Sequence, residues 1–561
     1  MHEIITLQLG QQSNYVATHF WNAQESYFTY SDDQESHINH DIHWRPGIGA
    51  DGTETFMPRT VIYDLKGGFG SLRKINALYA NQEGEGSAPM SLWNGPTSVL
   101  KQDAIEQSAY QQSLDAGLEP PPLTTSSVRY WSDFNRVYFH PRSIVQLNEY
   151  ELNSSLMPFE KWESGEHLFE SLDKEHDIVD RDLRLFVEEA DQMQGIQIIA
   201  TLDDAWGGFA SRYIERLRDE YGKTVLWTWG LQDSLQGVPR EKRMLRLGNK
   251  AKSLSEIYKQ ASIIVPLSVP SRLPRSISLD PSSQWHTSAL LATAIESITL
   301  PSRLKDATNR DTLGSIVELL NPTEKQTIAD LQMSFSSSEE AAEDSSRTPG
   351  RQSSSTNGFL LPDDDNLSEG IKLDINFTPS DQIDLYARQI QQQNGFRNPR
   401  VFNQVISRRG YNNSAAQDSD AMDIDSDAVE ADQDDRNRRR RNNLSGPVTK
   451  IYKSTLRFPL LDSFPRNILR DTDTDTNTHT GGEPPAPAPL TSSSSPGSGI
   501  NTTTSLSTST ATSARLKLLR TTVLRAIAVD TREVLGNDLA DMAAAYQEDY
   551  WSSGSDEGED D

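Results

Sequence analysis

Two acidic residues and two glycines follow a short apolar run near the middle of this sequence. The β-branched run at Ile196–Leu202 predicts a buried strand. The turn after it holds Asp203, Asp204, Gly207 and Gly208. Free backbone N–H groups at the start of a following helix attract anions, so a turn of this kind can hold a phosphate group. The chemistry that this stretch could supply is therefore phosphate binding.

A helix and a second strand complete the unit. Apolar residues recur every four positions after the turn and predict one face of a helix, namely Phe209, Tyr213, Leu217 and Tyr221. Gly222 ends this pattern, and Thr224–Trp229 is a second apolar run. Strand, turn, helix and strand predict a βαβ unit with a right-handed crossover.

The composition excludes several classes of site. The chain has no cysteine among its 561 residues, so disulfides, thiolate zinc sites and cysteine nucleophiles are excluded. A net charge of −28 disfavours general binding to nucleic acid, whose phosphates require basic patches. With only 35% apolar residues, part of the chain is expected to be disordered.

Targeting signals are not evident. No apolar run reaches the roughly 18–20 residues that span a bilayer. The first lysine or arginine is Arg45, which argues against a basic mitochondrial presequence. We expect a soluble cytosolic or nuclear protein, or one that partners hold on a membrane surface, without a transmembrane segment.

A second strand, glycine turn and helix open the chain. Glu3–Leu9 predicts a strand, Gly10 a turn, and the residues up to Glu25 a helix. Residues 31–56 are polar and predict a loop, and Thr60–Tyr63 predicts a strand that ends at Asp64.

Further elements follow toward the middle of the chain. Residues 104–118 predict a short helix, and residues 287–300 a buried helix that ends at Pro301. Ile263–Val269 predicts a strand whose proline places it at a sheet edge or bulge. The elements up to about residue 330 predict an α/β core.

The remainder predicts a second ordered portion interrupted by disordered inserts. Acidic or Ser/Thr/Pro-rich composition marks the inserts. The predicted division is an N-terminal segment 1–118, a core 128–332, an insert 333–370, an ordered portion 371–411, a charged insert 412–445, an ordered piece 446–470, a low-complexity linker 471–513, helices 514–551 and an acidic tail 552–561. Arg436 and Arg438 to Arg441 lie in the charged insert, where they are either a nuclear-import signal or a self-neutralising solvated loop.

Several of these stretches resemble tubulins. Residues 3–21, EIITLQLGQQSNYVATHFW, resemble the tubulin opening, in which a glycine–glutamine loop follows the first strand. Met57-Pro58-Arg59, with Asp64 five residues later, resembles a second tubulin segment. Residues 203–221 lie where tubulins carry their glycine-rich phosphate loop and the next helix.

The closer resemblance is to the Misato family of tubulin-like proteins. It rests on TLQLG and NYV within residues 6–22, on ALLATAIESITLPSR at 289–303 and on DMAAAYQEDYW at 541–551. The resemblance implies a tubulin-like α/β fold, with a Rossmann-type parallel sheet core followed by a smaller α+β portion. It also implies a role in partitioning of mitochondria and inheritance of mitochondrial DNA, at the outer mitochondrial surface and in the cytoplasm.

The resemblance also implies where a nucleotide would bind. Gln11, Gln12, Asn14 and Asp64 would face it, beside Gly207 and Gly208. Alternatively, these residues have structural roles, in which Asn14 caps a helix and Asp64 ends a strand. We predict a vestigial site, with no catalytic residue and no metal ligand.

The glycine turn itself argues against tight GTP binding. A tubulin-type loop needs a run of glycines, whereas this turn keeps two and carries Trp206 and Phe209. Asp203 and Asp204 add negative charge, and two like charges about 4 Å apart repel by roughly 4 kcal/mol at a dielectric constant near 20. We therefore expect no resident cofactor and GTP binding weaker than micromolar. A metal ion that bridges Asp204 and phosphate would reverse this expectation.

Three functions remain open from the sequence. The first is a non-enzymatic scaffold whose partners are proteins of the mitochondrial surface or cytoskeleton. The second is a GTPase that assembles into filaments. The third is an assembly factor for tubulin-like clients that works with a chaperonin. No specific nucleic-acid partner is predicted.

Overall fold

A computed structural model describes residues 3–29, 35–49, 52–73, 105–336, 373–379, 399–410, 447–465, 468, 499–526 and 529–547. The helices of this part of the chain are α1 (Gln11–Glu25), α2 (Ala109–Asp115), α3 (Trp162–His176), α4 (Arg184–Glu188), α5 (Ala205–Glu220), α6 (Arg240–Gln260), α7 (Gln284–Thr299), α8 (Leu313–Leu320), α9 (Ala511–Ala526) and α10 (Val529–Ala544). The first eight strands are β1 (Glu3–Leu9), β2 (Trp44–Ile48), β3 (Glu54–Pro58), β4 (Thr60–Lys66), β5 (Ile144–Glu151), β6 (Met193–Thr201), β7 (Val225–Leu231) and β8 (Ile263–Leu267). The others are β9 (Asp330–Ser336), β10 (Ile375–Asn376), β11 (Val401–Arg409), β12 (Val448–Ser454), β13 (Phe458–Pro459) and β14 (Gly499–Ser509).

A six-stranded sheet forms the first half of the fold. Its strand order is β5-β4-β1-β6-β7-β8, and every neighbouring pair is parallel. The predicted βαβ unit is confirmed as β6, α5 and β7. The prediction of an edge strand that contains a proline is also confirmed, because Pro266 lies in β8 at the end of the sheet. Proline is tolerated there because one side of an edge strand needs no ladder hydrogen bonds.

Helices cover both faces of this sheet, so its strands are apolar on both sides. Ile199 of β6 packs with α1 and α7 in one hydrophobic cluster. Ile198 and Ala200 of the same strand pack with α3, α5 and α6 in the other. The alternation follows from the two-residue period of a strand. It places α1 and α5 on opposite faces, with both helix starts at one edge.

A six-stranded mixed sheet forms the second half, in the order β10-β9-β14-β11-β12, and β13 also pairs with β14. Met333, Val405 and Leu506 of this sheet lie in the same cluster as α7. Helix α7 is therefore buried between the two sheets. Helices α9 and α10 return to the other cluster, where Leu519 and Leu539 are buried with α6.

The structure corrects three predictions. Residues 31–56 are not a simple loop, because β2 and β3 pair there as an antiparallel hairpin. The turn before α5 does not extend to Gly208, since the helix begins at Ala205. The predicted linker 471–513 was wrong for residues 499–513, which form β14 and the start of α9. The Ser/Thr-rich sequence of β14 suits a strand because threonine is β-branched, and β9 and β11 supply its pairing.

Several predictions lie outside the described residues. These are most of the insert 333–370, the charged insert 412–445 with its arginine cluster at 436–441, and the acidic tail 552–561. They stay predictions.

Candidate functional site

The carboxyl ends of β1, β4, β6 and β7 meet at one edge of the first sheet. Parallel pairing brings Leu9 beside both Tyr63 and Ala200. Gly10 follows β1, Asp64 lies near the end of β4 and Asp203 follows β6, so residues far apart in sequence become neighbours. Ligands of open parallel sheets bind at such an edge, which makes it the candidate site of this chain.

A carboxylate of the chain itself, that of Asp204, binds the backbone at the start of α5. Asp204 is the N-cap, and its Oδ1 accepts a hydrogen bond from the backbone N–H of Trp206 at 2.9 Å. The hydroxyl of Thr201 also donates to this oxygen. The backbone N–H of Gly207 donates to the carbonyl oxygen of Asp204 at 3.2 Å. The Asp204 carboxylate thus occupies the position in which a helix N-terminus holds an anion.

The side chain of Trp206 fills the space above the first turn. A Cβ atom added to Gly10 would lie 2.5 Å from Nε1 of this indole, and Gly10 has a φ of +89°. Phe159 and Phe209 pack against the indole at centroid distances of 5.3 and 5.6 Å. Only 5% of Trp206 is exposed. Close approach of a ligand to the Gly10 backbone is therefore blocked by the indole.

The two glycines of α5 are required where helices cross. A Cβ atom on Gly207 would lie 2.2 Å from Oγ of Ser253 in α6. A Cβ atom on Gly208 would lie 2.0 Å from the carbonyl oxygen of Trp162, at the start of α3. Gly165 of α3 makes the reciprocal approach, because its Cβ atom would overlap the carbonyl oxygen of Ala205. Packing explains why both positions lack a side chain, and their assignment to a cofactor stays a prediction.

Asn14 and Asp64 form a buried polar pair. Nδ2 of Asn14 donates to Oδ2 of Asp64 at 2.8 Å, and the backbone N–H of Leu65 donates to Oδ1 at 2.8 Å. Burial raises the pKa of Asp64 to about 6, although the hydrogen bonds from Asn14 and Leu65 oppose this shift. A Cβ atom on Gly68 would lie 2.4 Å from the Asp64 carboxyl group, so the next turn closes over it. The pair links α1 to β4.

Gln11 and Gln12 begin α1 and are half-buried. Nε2 of Gln12 lies 3.4 Å from Oδ1 of Asp233, which follows β7. The structure thus brings the predicted residues to one edge, but it places Asn14 and Asp64 below the surface.

The sequence analysis missed three residues of this edge, namely Arg246, Asp233 and Phe159. Arg246 of α6 donates from Nη2 to Oδ2 of Asp233 at 3.0 Å, and its Nε lies 4.0 Å from Oδ2 of Asp203. Phe159 supports the indole of Trp206 from the segment before α3. No local sequence motif indicates that these residues lie at the edge, because each belongs to a different loop or helix.

Two cavities lie elsewhere in the described chain. One, of about 510 Å³, lies between Tyr15 of α1 and Trp285 at the start of α7. The other, of about 430 Å³, lies between residues 35–37, 304–309 and 453–455. None of the six predicted nucleotide-binding residues lines either cavity. Tyr15 follows Gln11 by one helical turn, so the larger cavity borders the same side of α1.

Within the described ranges, neither a metal-binding cluster nor a membrane-spanning helix is present. No cluster of three or more His, Asp or Glu side chains in them has a metal-binding arrangement. No helix within the described part combines the length and apolar character needed to cross a membrane.

The chain matches known proteins along its length. A family model described as the Misato Segment II tubulin-like domain matches residues 2–116, and a tubulin domain model matches residues 120–304. The chain is 58% identical to Protein dml-1 of Neurospora crassa, and the match covers all of both chains. It is 45% identical to Protein DML1 of Gibberella zeae, again over all of both. Protein dml1 of Schizosaccharomyces pombe is 33% identical over 54% of this chain and 66% of the relative.

Proposed function

Because the chain belongs to the Misato family of tubulin-like proteins, we propose that it is a non-enzymatic protein that acts in partitioning of mitochondria and inheritance of mitochondrial DNA. It works at the outer mitochondrial surface and in the cytoplasm. Its partners are proteins, which dock on the folded core. Family membership supports the cellular role, and the geometry of the sheet edge supports the absence of enzymatic activity.

One observation carries the non-enzymatic part of the proposal. The indole of Trp206 lies against Gly10, where a phosphate would approach the backbone, and the Asp204 carboxylate caps the helix that would bind it. Both groups would have to leave before a triphosphate could enter. The cost of displacing a buried indole and a capping carboxylate disfavours GTP binding.

Imaging tests the cellular role. The protein, with a fluorescent tag, replaces the native copy in cells that carry a mitochondrial marker and stained mitochondrial DNA. We expect the protein on mitochondria, and we expect its depletion to leave daughter cells without mitochondria or mitochondrial DNA. Normal inheritance in depleted cells would contradict the proposal.

Variants of the predicted nucleotide-binding residues test the non-enzymatic part. The double variant Gln11→Ala/Gln12→Ala removes both half-buried amides at the start of α1. It should support normal mitochondrial inheritance, because no nucleotide reaction is needed. Loss of inheritance at an unchanged protein level would show that these side chains act in function.

GTP binding remains the second candidate, and the larger cavity favours it. Its lining includes the aromatic residues Tyr15 and Trp285 and the hydroxyl-bearing residues Ser282 and Ser283. GTP turnover at rising protein concentration separates the candidates. Turnover per molecule that increases with concentration would favour a filament-forming GTPase, and no turnover would favour the scaffold.

A client-binding role is tested by native pull-down. A chaperonin and tubulin-like chains in the eluate would favour the assembly factor over the scaffold. Mitochondrial surface proteins without chaperonin would favour the scaffold.

A further inference from the structure

Asp203 lies where three parts of the chain meet at the carboxyl edge of the first sheet. It follows β6 directly, and only 6% of the residue is exposed. Residues 232–239, which we call the β7–α6 segment, pass beside it. Nδ2 of Asn249 in α6 donates to the carbonyl oxygen of Asp203 at 3.1 Å. Asp203 is therefore the buried contact between β6, this segment and α6.

The charges around Asp203 do not balance when every carboxyl group is ionised. Asp204 faces it from the start of α5, Asp233 from the β7–α6 segment and Arg246 from α6. Arg246 is the one cation among these facing groups, and its Nη2 is bonded to Asp233. Oδ2 of Asp203 is buried and accepts no hydrogen bond from the described residues. An ionised Asp203 would add an uncompensated negative charge.

The energetics favour a proton on Asp203. Burial, with the neighbouring carboxylates of Asp204 and Asp233, raises its pKa to about 8, and Arg246 and the backbone N–H of Asp233 lower it by less. Removing the proton puts three negative charges beside one guanidinium group in a poorly solvated place.

We propose that the buried carboxyl group of Asp203 is a proton-dependent lock that holds the β7–α6 segment against the sheet edge. In its neutral form it packs beside Asp233 and Arg246. When it ionises, repulsion drives Asp233 and its segment away. The contact between Asp233 and Gln12 then breaks, and the start of α1 becomes accessible. The lock does not depend on the proposed mitochondrial function.

Hydrogen exchange measured by mass spectrometry on the full chain tests the lock. Amide exchange in residues 232–239 is compared at pH 7 and pH 9, after correction for the intrinsic rate. If the segment opens, its amide exchange rate at pH 9 should be about tenfold or more above the rate at pH 7. In Asp203→Asn, which cannot ionise, the segment should stay protected at both pH values. Asp219→Asn, an exposed change on α5, should behave as the wild type does.

Two further variants separate the lock from a general loss of stability. Arg246→Gln removes the cation that lowers the pKa of Asp203, so the midpoint of opening should move to higher pH. Asp233→Asn removes the charge that an ionised Asp203 would repel, so its segment should stay protected at pH 9. A higher midpoint in Arg246→Gln and continued protection in Asp233→Asn support the lock. An unchanged or lower midpoint in Arg246→Gln, opening of Asp233→Asn at pH 9 as large as that of the wild type, no pH-dependent opening in the wild type, or equal opening in Asp203→Asn would overturn it.

Discussion

Arg409 forms an ion pair with Glu296, and both side chains are completely buried. Glu296 lies in α7, between the two sheets, whereas Arg409 ends β11 of the second sheet. Nη2 of Arg303 also donates to Oε1 of Glu296, at 2.5 Å, and the hydroxyl of Tyr27 donates to the same oxygen at 2.9 Å. The pair is one polar connection between the central helix and the second sheet, beside the hydrogen bond between Ser297 and Thr502.

Charge balance explains how this carboxylate is tolerated. Burial alone would raise the pKa of Glu296, but the guanidinium groups of Arg409 and Arg303 overcome burial and hold the pKa below its usual value. Other N–H groups of Arg409 donate to the hydroxyl of Tyr27 at 2.8 Å and to the carbonyl oxygens of Leu456 and Arg457 at 3.1 and 2.9 Å. A buried charge with this many partners is costly to disrupt on one side only.

Replacing Arg409 with glutamine should therefore destabilise the fold by about 3–5 kcal/mol, because Glu296 loses a buried partner. Urea unfolding followed by circular dichroism measures the loss. Arg184→Gln is the matched control, since Arg184 is half-exposed in ion pairs with Asp180 and Glu188. Its unfolding midpoint should not change. Equal midpoints for the two variants would contradict the role given to Arg409.

The contact between Trp206 and Gly10 predicts a non-additive pair of mutations. Gly10→Ala should destabilise the fold through its positive φ and through a clash with the indole. Trp206→Ala should cost about 3–5 kcal/mol through loss of buried surface. In the double variant the clash is gone, so its loss should be smaller than the sum of the single losses. A double-mutant cycle of unfolding free energies measures this coupling, and additive losses would show that the two residues do not touch.

Gly208 lies where α3 and α5 cross, so replacing it should reduce the stability of the fold through packing and not through phosphate binding. A Cβ atom there would lie 2.0 Å from the backbone oxygen of Trp162, so α3 and α5 would have to move apart. Gly208→Ala should cost about 1–3 kcal/mol or more, without any ligand present. Gly222→Ala is the control, because its nearest atom would be 3.7 Å away. A Gly208→Ala protein as stable as the control would argue against the packing role.

The raised pKa of Asp64 predicts a pH dependence of stability. The folded protein keeps a proton on Asp64 up to a pH of about 6, whereas the unfolded chain loses it near 3.8. The folded state binds the extra proton in this window, so the free energy of unfolding falls as pH rises from 4 to 6. A shift of this size corresponds to about 3 kcal/mol at most.

Asp64→Asn should remove this contribution. Between pH 4 and pH 6, the stability of the variant should rise relative to that of the wild type. The comparison with the variant is needed because His19 changes stability in the opposite direction. Burial lowers the pKa of His19 to about 3, so as pH falls the unfolded state binds a proton on His19 before the folded state does. Urea unfolding of both proteins at several pH values isolates the contribution of Asp64 to the pH dependence of stability. A constant difference between the two proteins would show that Asp64 titrates alike in both states.

Local patterns predicted many of the individual elements. The apolar run Glu3–Leu9 was predicted as a strand and is β1, and residues 287–300 were predicted as a helix and lie largely in α7. These elements carry their own periodicity and breakers. The β2–β3 hairpin and β14 were missed because their sequences are polar or rich in serine and threonine. Strand pairing, not local preference, determines such segments.

The sequence by itself determined β1 and the helix α1 that follows it, the βαβ unit of β6, α5 and β7, and membership of a tubulin-like family. It placed Gln11, Gln12, Asn14, Asp64, Gly207 and Gly208 as candidates at one edge. Only the tertiary structure decided what fills that edge. Gly10 and Trp206 are far apart in sequence and meet because β1 and β6 are neighbours. The side chain that occupies a space depends on which strands are adjacent, and no local pattern encodes that adjacency.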